Sequence, residues 1–283
     1  MGPVNFRTYN EVEGDDRSRL GAQVTAQREC VARRLESVKR VVVVMSGKGG
    51  VGKSHIAATL GAGVASRPNR RVGVLDADLR SPTVAKLLEA HGPLAVTDEG
   101  VEPAVGRMGV RVVSTDLLLE ESQPLRWREP PSERFVWRGV LESGALREFL
   151  SDVVWGPLDL LLVDLPPGAD GSVDLKELVP NVAGAVVVTI PSEEARRSVA
   201  RTMRSALEAG VPLLGIVENM SGYQCGECGA VRPLFNGTAG ADLSAEFGVP
   251  LLARVPFTPT IPDGPPSDGA AADLVEAFLG VLP

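Results

Sequence analysis

Residues Ser46-Gly47-Lys48-Gly49-Gly50-Val51-Gly52-Lys53-Ser54 carry the most concentrated chemistry in the chain. They follow the β-branched run Val41-Val42-Val43-Val44-Met45 and precede Ile56-Ala57-Ala58-Thr59-Leu60, so the pattern reads as strand, tight loop, helix. Glycines at 47, 49, 50 and 52 let backbone N–H groups turn inward on an anion. The helix behind them adds the positive end of its dipole. In such a cradle Lys53 reaches the β- and γ-phosphates of a nucleotide and Ser54 holds Mg²⁺, with Val51 and His55 in the same binding stretch. The plainer reading, a glycine-rich link between a strand and a helix, gives no reason for Lys-Ser at this fixed offset.

Three further stretches supply polar groups that fit the same site. Val72-Gly73-Val74-Leu75 reads as a strand ending in Asp76-Ala77-Asp78, and carboxylates at the C-terminal end of a parallel strand sit where open α/β sheets bind ligands. Two positions apart, Asp76 and Asp78 are expected on one side, one near the Mg²⁺ shell and the other orienting a water. The strand Leu158 to Asp164 runs into Leu165-Pro166-Pro167-Gly168, which assigns Asp164 to Mg²⁺ through water and the Gly168 N–H to a γ-phosphate. Leu213 to Val217 leads into Glu218-Asn219-Met220, where the Asn219 carboxamide offers a donor and an acceptor to an adenine edge.

Cys225-Gly226-Glu227-Cys228-Gly229 is a second chemical feature. Two thiolates at this spacing can share one soft metal centre, and the glycines permit the turn that brings them together. Tetrahedral zinc and four-iron clusters usually take four protein ligands, and this chain has one pair. Cys30 is a candidate third, although an idle or buried thiol suits its surroundings better; His55 and His91 lie elsewhere in the chain. A two-fold dimer presenting Cys225 and Cys228 from each copy completes a four-thiolate site on its axis. A redox-active dithiol and a metal-free turn are the competing readings.

Elements to hold these groups are legible along the 283 residues. Alternating strand and helix patterns from about residue 40 onward predict one large α/β domain, 40–283, after an N-terminal helical extension, 1–39, with Leu20, Val24, Ala26, Val31 and Leu35 at helical spacing. Val110 to Val113 reads as an edge strand, Pro124 to Arg134 as a surface insertion, Val140 to Leu150 as a helix and Ala183 to Ile190 as a buried strand. Ser192 is placed to cap a helix whose Arg196, Arg197, Arg201 and Arg204 fall largely on one face, read as solvated and balanced by neighbouring acids. A net charge of −7 gives no electrostatic footprint for DNA, and apolar runs are strand-length, without a signal-peptide core. The expectation is a cytoplasmic protein that binds neither nucleic acid nor membrane. Three cysteines do not make a disulfide framework.

In this order, the motifs resemble the Mrp/ApbC-type iron–sulfur cluster carrier ATPases within the MinD/ParA-like P-loop NTPases. The resemblance runs from about Arg40 to Pro262 and rests on the loop at 46–54, Asp76-Ala77-Asp78, Trp137-Arg138-Gly139, Trp155-Gly156-Pro157-Leu158-Asp159, Asp164-Leu165-Pro166-Pro167-Gly168, Glu218-Asn219-Met220 and the cysteine pair. It implies a SIMIBI-type P-loop fold, a mostly parallel sheet flanked by helices on both faces. It also implies slow, dimer-dependent ATP hydrolysis, with Lys48 acting on phosphates across the dimer. A labile [4Fe-4S] cluster would be bridged by Cys225 and Cys228 of both chains, zinc being the competing occupant, and passed between an assembly scaffold and apo iron–sulfur proteins. The other outcome it implies is a MinD/ParA-like positioning switch without a cluster; an ATP-gated electron donor is a more distant one. Ala169, the turn Leu79-Arg80-Ser81-Pro82 and about eight extra residues near Trp127 depart from the family pattern.

Overall fold

The computed structural model describes residues 20–79, 81–118, 146–168, 170–179, 181–258 and 269–283. The first half of the chain supplies α1 (Leu20–Leu35), β1 (Val41–Ser46), α2 (Lys53–Ala65), β2 (Val72–Asp76), α3 (Val84–Leu87), β3 (Ala95–Thr97), β4 (Gly100–Glu102), β5 (Ala104–Val105) and β6 (Arg111–Val113). The second half supplies α4 (146–152), β7 (Leu160–Asp164), α5 (Asp170–Leu178), β8 (Val182–Thr189), α6 (Glu193–Glu208), β9 (Leu213–Gln224), β10 (Val231–Arg232), α7 (Ala239–Phe247), β11 (Leu251–Phe257) and α8 (Gly269–Val281).

β1, β2 and β7 are buried at every position, as near-continuous valine and leucine runs require when both faces of a sheet are covered. They form the middle of a sheet in the order β10-β9-β8-β1-β7-β2-β6-β5, with β11 also on β9. All pairs are parallel except β5 on β6 and β10 on β9. α2 packs on β1, β2 and β7 and against α8, while α6 packs on β8 and β9 and against α5 and α7, so two helical groups cover the sheet. The parallel register brings Ser46, Asp76, Asp164, Thr189 and Glu218 to one rim, with Asp76 opposite Asp164 and Thr189 opposite Glu218.

β9 is longer than its sequence suggests. The apolar pattern ends at Val217, yet the strand continues to Gln224 because β11 pairs with it as far as Tyr223 and β10 takes Tyr223 and Gln224 from the other side. Propensity gave no sign of this: Asn219, Ser221 and Gly222 are poor strand formers held by their neighbours. The strand expected at 110–113 is β6 (Arg111–Val113), but it is not the edge it was expected to be: β5 pairs with it on the side away from β2. The helix expected from 140 is described from 146, and Trp137-Arg138-Gly139, the insertion near Trp127, Arg80 and Ala169 lie outside the described residues.

α1 docks on the domain. Val31 is fully buried, the Cys30 thiol donates to the Ser151 carbonyl of α4 (3.7 Å), and Arg34 Nε donates to the same oxygen at 2.9 Å. The link into β1 is pinned by Lys39, whose ammonium lies 2.7 Å from Asp159 just ahead of β7, and the same carboxylate accepts the Arg71 N–H at 2.9 Å immediately before β2. The Lys39 hydrogen bond, with that N–H, pulls the Asp159 carboxyl down to about 2. A carboxyl lowered in the folded state stabilises above its unfolded pKa and stops doing so as pH falls through the folded one. Asp159→Asn is therefore expected to cost about 1–2 kcal/mol at neutral pH, Lys39 being exposed. In urea unfolding the difference from wild type should shrink below about pH 4 and vanish near pH 2.

Candidate functional site

The loop between β1 and α2 is shaped from outside. Gly47 lies so close to α6 that a Cβ there would sit 2.4 Å from the Val199 nitrogen and 2.5 Å from the Ser198 carbonyl carbon, and Ser198 Oγ donates to Gly47 O at 2.6 Å. Gly50 (φ 78°) and Gly52 (φ 81°) take the left-handed conformation that turns successive N–H groups to one side. Gly52 is the N-cap of α2 and makes no side-chain cap, and no acid occupies the first turn, which leaves the helix's leading N–H groups for an anion. Ser46 Oγ donates to Lys48 O at 3.0 Å, Gly49 packs near Pro167, and Val51 is buried. His55 is half-buried, and burial lowers its pKa, which favours the neutral ring.

Lys53 and Ser54, the residues expected on phosphate and Mg²⁺, both hold Asp164. The Lys53 ammonium lies 2.7 Å from Oδ1 and Ser54 Oγ donates to Oδ2 at 2.5 Å. Asp164 is fully buried; burial raises its pKa and the Lys53 charge opposes this. Asp78 brings Oδ2 to 4.0 Å from Lys53 Nζ. Lysine, hydroxyl and two carboxylates thus converge at the mouth of the loop, and the hydroxyl and carboxylate oxygens are donors suited to a hard cation.

Asp76 departs from the expected pairing with Asp78. Its Oδ2 accepts from the Thr83 N–H (2.9 Å), the Val84 N–H (3.1 Å) and Ser114 Oγ (3.1 Å), and its Oδ1 from the Asp78 N–H (3.2 Å). The carboxylate ties the turn after β2 to the end of β6. The two-residue alternation does not carry over because β2 ends at Asp76 and the chain turns there. Gly168 (φ 120°) donates its N–H to Ser46 O at 2.9 Å, so a γ-phosphate would have to replace that bond. Asn219, expected at an adenine edge, directs its Nδ2 to Val51 O at 2.8 Å and is buried. Lys48 rests 3.4 Å from Glu194 in the first turn of α6. Ser114 and Ser198 escaped the sequence reading, since a serine in an ordinary strand end or helix carries no local signal of a distant backbone partner.

On the arginine face of α6, Arg196, Arg197 and Arg204 are balanced by neighbouring acids as expected. Arg196 and Arg197 hold Glu193, whose carboxyl they pull down to about 2, while Arg196 and Arg204 reach Glu246 on α7. Ser192 Oγ caps the helix on the Ala195 N–H at 3.2 Å.

The cysteine turn closes at the far end of β9. Cys225 N–H donates to Ala230 O and Gly229 N–H to Cys225 O, both at 2.9 Å, and Gly229 is left-handed (φ 70°). The N–H groups of Cys228 and Glu227 point at the Cys225 sulfur and lower its pKa, which favours the thiolate a metal requires. Cys225 is half-buried and Cys228 exposed. Among the described residues no group of three or more His, Cys, Asp and Glu side chains forms a metal cage, and Cys30 stays with Ser151.

A parallel sheet with a glycine loop, a buried lysine and convergent carboxylates at its C-terminal rim defines a P-loop nucleotide-binding protein. The chain belongs to the NUBPL iron-transfer P-loop NTPases of the ParA group, whose family model matches residues 37–271. It is 38% identical to an iron–sulfur cluster carrier protein of Saccharolobus solfataricus over 249 residues, 87% of this chain and 80% of the relative. It is 37% identical to a carrier of the same name in Methanocaldococcus jannaschii over 246 residues, 86% and 80% of the two chains. Among solved structures, a nucleotide-binding protein of Archaeoglobus fulgidus in complex with ADP superposes with a TM-score of 0.65 at 32% identity, covering 90% of this chain and 92% of that one. The cell-division ATPase MinD of Pyrococcus furiosus, at 20% identity and a TM-score of 0.56 over 86% of this chain and 99% of that one, shares the fold.

Burial, then the facing Asp164 carboxylate, pushes the Asp76 carboxyl up to about 7 from an ordinary 3.8. Between those values the folded chain binds a proton that the unfolded chain has released, so stability falls as pH rises through the window. Urea midpoints of the nucleotide-free chain should decline from about pH 4 to about pH 7, and Asp76→Asn should flatten the decline.

Proposed function

We propose that this protein is a homodimeric ATPase that carries an iron–sulfur cluster, its cargo, between an assembly scaffold and apo iron–sulfur proteins in the cytoplasm. The observation that carries the reading is the half-complete thiolate site. Two cysteines sit on a turn that already favours a thiolate, and no third ligand joins them among the described residues. The turn is ringed by exposed apolar side chains, Tyr223, Val231, Leu234, Phe235 and Phe257, with Val231 55% and Phe257 46% accessible. Register places Tyr223 beside Phe257 on one face of the hairpin and Val231 on the other, so both faces carry exposed apolar side chains. A second copy supplies two more thiolates and covers the patch at once. A [4Fe-4S] cluster fits four such ligands, and zinc is the competing occupant.

At the other site Lys53 exchanges Asp164 for the β- and γ-phosphates when ATP enters. Ser54 and Asp164, a hydroxyl and a carboxylate already facing one another, would hold Mg²⁺, which neutralises phosphate charge. Asp78, near Lys53, orients the attacking water, while Asp76 fixes the turn that carries Asp78. Lys48 rests on an exposed glutamate, a contact of little value in water, and is therefore easily recruited to a partner's phosphates. With that cation supplied in trans, a lone chain turns over slowly.

Anaerobic reconstitution with iron and sulfide tests the cargo: wild type should gain one four-iron cluster per two chains, and Cys225→Ala with Cys228→Ala should gain none while still binding ATP. Equal iron in both would defeat the carrier reading. Lys48→Ala should bind ATP yet lose about 10³-fold or more of its hydrolysis. Steady-state turnover at rising protein concentration checks this, since the wild-type rate per chain should climb with dimer and the variant's should not.

A further inference from the structure

A single strand joins the two sites. Asn219 of β9 donates from Nδ2 to Val51 O at 2.8 Å, inside the phosphate loop, and Cys225 follows six residues later, at most about 20 Å of extended chain. Between them the strand is irregular. Val255 of β11 lies opposite Asn219 and Phe257 opposite Tyr223, so two steps on β11 match four on β9 and the surplus bulges at 220–222. Met220 within the bulge has φ 52°, the one non-glycine residue of a described strand in the left-handed region. A long unbranched side chain rarely adopts this backbone without its surroundings imposing it. Beside it lies the phosphate loop, as well as the bulged pairing with β11: a Cβ on Gly52 would lie 2.2 Å from Asn219 Nδ2 and 3.7 Å from the Met220 methyl.

The bulge is also the root of the cysteine hairpin. β8 stops pairing with β9 at Glu218, so beyond that point β9 is held by β11, by the short β10 and by the loop contact. Past the bulge, Tyr223 and Gln224 pair with Arg232 and Val231, and the Cys225 N–H closes on Ala230 O. Residues 51 and 52 therefore touch the base of a hairpin whose tip bears both thiols.

We propose that the Asn219–Met220 bulge couples the phosphate loop to the cysteine turn, so that nucleotide at 46–54 sets the spacing of Cys225 and Cys228 and hence how firmly cargo is held. The cargo clause rests on the carrier reading above; the mechanical link does not. Val51 O accepts the Asn219 amide in the present orientation of the 51–52 peptide. When phosphate gathers the loop N–H groups and Lys53 leaves Asp164, that orientation is redefined, and Met220 loses or gains the packing that keeps it left-handed. Two discrete backbone states at one bulge are what a ligand with different contacts to each can select between. Asn219 and Met220 are positioning residues: neither thiol nor phosphate chemistry passes through them.

Amide hydrogen exchange on the full chain tests the link, with Mg²⁺ and a non-hydrolysable ATP analogue as the probe. In wild type, protection should appear at 46–54, and exchange across 221–232 should change by on the order of 5–150-fold, the range of ordinary coupling energies. Met220→Gly, which relaxes the left-handed requirement and removes the side chain that ends beside Gly52, should keep the protection at 46–54 and lose the response at 221–232. Asn219→Ala should lose that response as well, and Met220→Leu, unbranched at Cβ, should retain it. A wild-type cysteine turn that ignores the analogue while the loop responds overturns the proposal, as does a Met220→Gly chain that responds in full. A loop that gains no protection overturns it together with the nucleotide reading. Zinc titration with a chromophoric chelator separates the carrier reading: if wild type binds zinc no better than Cys225→Ala with Cys228→Ala, the cargo clause falls, whatever the exchange data show.

Discussion

The rim of the sheet is governed by two buried carboxylates placed opposite each other, Asp76 at the end of β2 and Asp164 at the end of β7. Two such charges side by side cannot be buried without compensation, and each is answered differently. Asp164 takes the buried ammonium of Lys53 and the Ser54 hydroxyl, both on side chains of the first turn of α2 that can rotate to another partner. Asp76 takes three backbone N–H groups and the Ser114 hydroxyl, which are fixed. One carboxylate is thus wired to groups a ligand can borrow, and the other to the frame. A phosphate entering the loop competes for Lys53, and a divalent cation is the natural replacement for the charge Asp164 would lose. The resting site is closed by its own residues, and opening it is an exchange.

How much of this the sequence disclosed follows from the range of each interaction. The loop at 46–54, the strands before Asp76 and Asp164, and the cap at Ser192 are local patterns in which spacing alone carries the physics. The cysteine turn is local too, and its glycines and ligand shortage were legible. The partners of Gly168 and Asn219 were not: Gly168 N–H to Ser46 O and Asn219 Nδ2 to Val51 O are contacts between segments more than a hundred residues apart in the chain, whose meeting depends on the sheet's register. Nor was the Ser114 hydroxyl on Asp76, which comes from the end of the neighbouring strand. The direction of the Asp76 carboxylate relative to Asp78 was hidden for a more instructive reason: alternation holds inside a strand, and this strand stops at the residue in question.

β9 shows the same limit in a whole element. Its first half is an apolar strand that any pattern finds, and its second half, from Asn219, is polar, glycine-containing and strand only because β11 and β10 pair with it. Such a segment has little intrinsic preference to keep it straight, and a bulge with a left-handed methionine survives where neighbours impose it. The same weakness that hides the strand from propensity makes it the part of the sheet most open to influence from the phosphate loop.

Shape imposed from outside also bears on how the loop meets a nucleotide. Gly47 is pressed on the backbone of α6, Gly52 on Asn219, and Ser198 holds the Gly47 carbonyl, so both ends of the loop are anchored before any ligand arrives. The ordering of glycines, the largest backbone entropy cost in the site, is thereby met on folding rather than on binding. What remains to move is small: the Lys53 and Ser54 side chains, the Gly168 N–H and the peptide between Val51 and Gly52. Because the anchors belong to α6 and β9, whatever strain a nucleotide places on the loop is delivered to those two elements first. One begins beside Lys48, and the other ends at the cysteines.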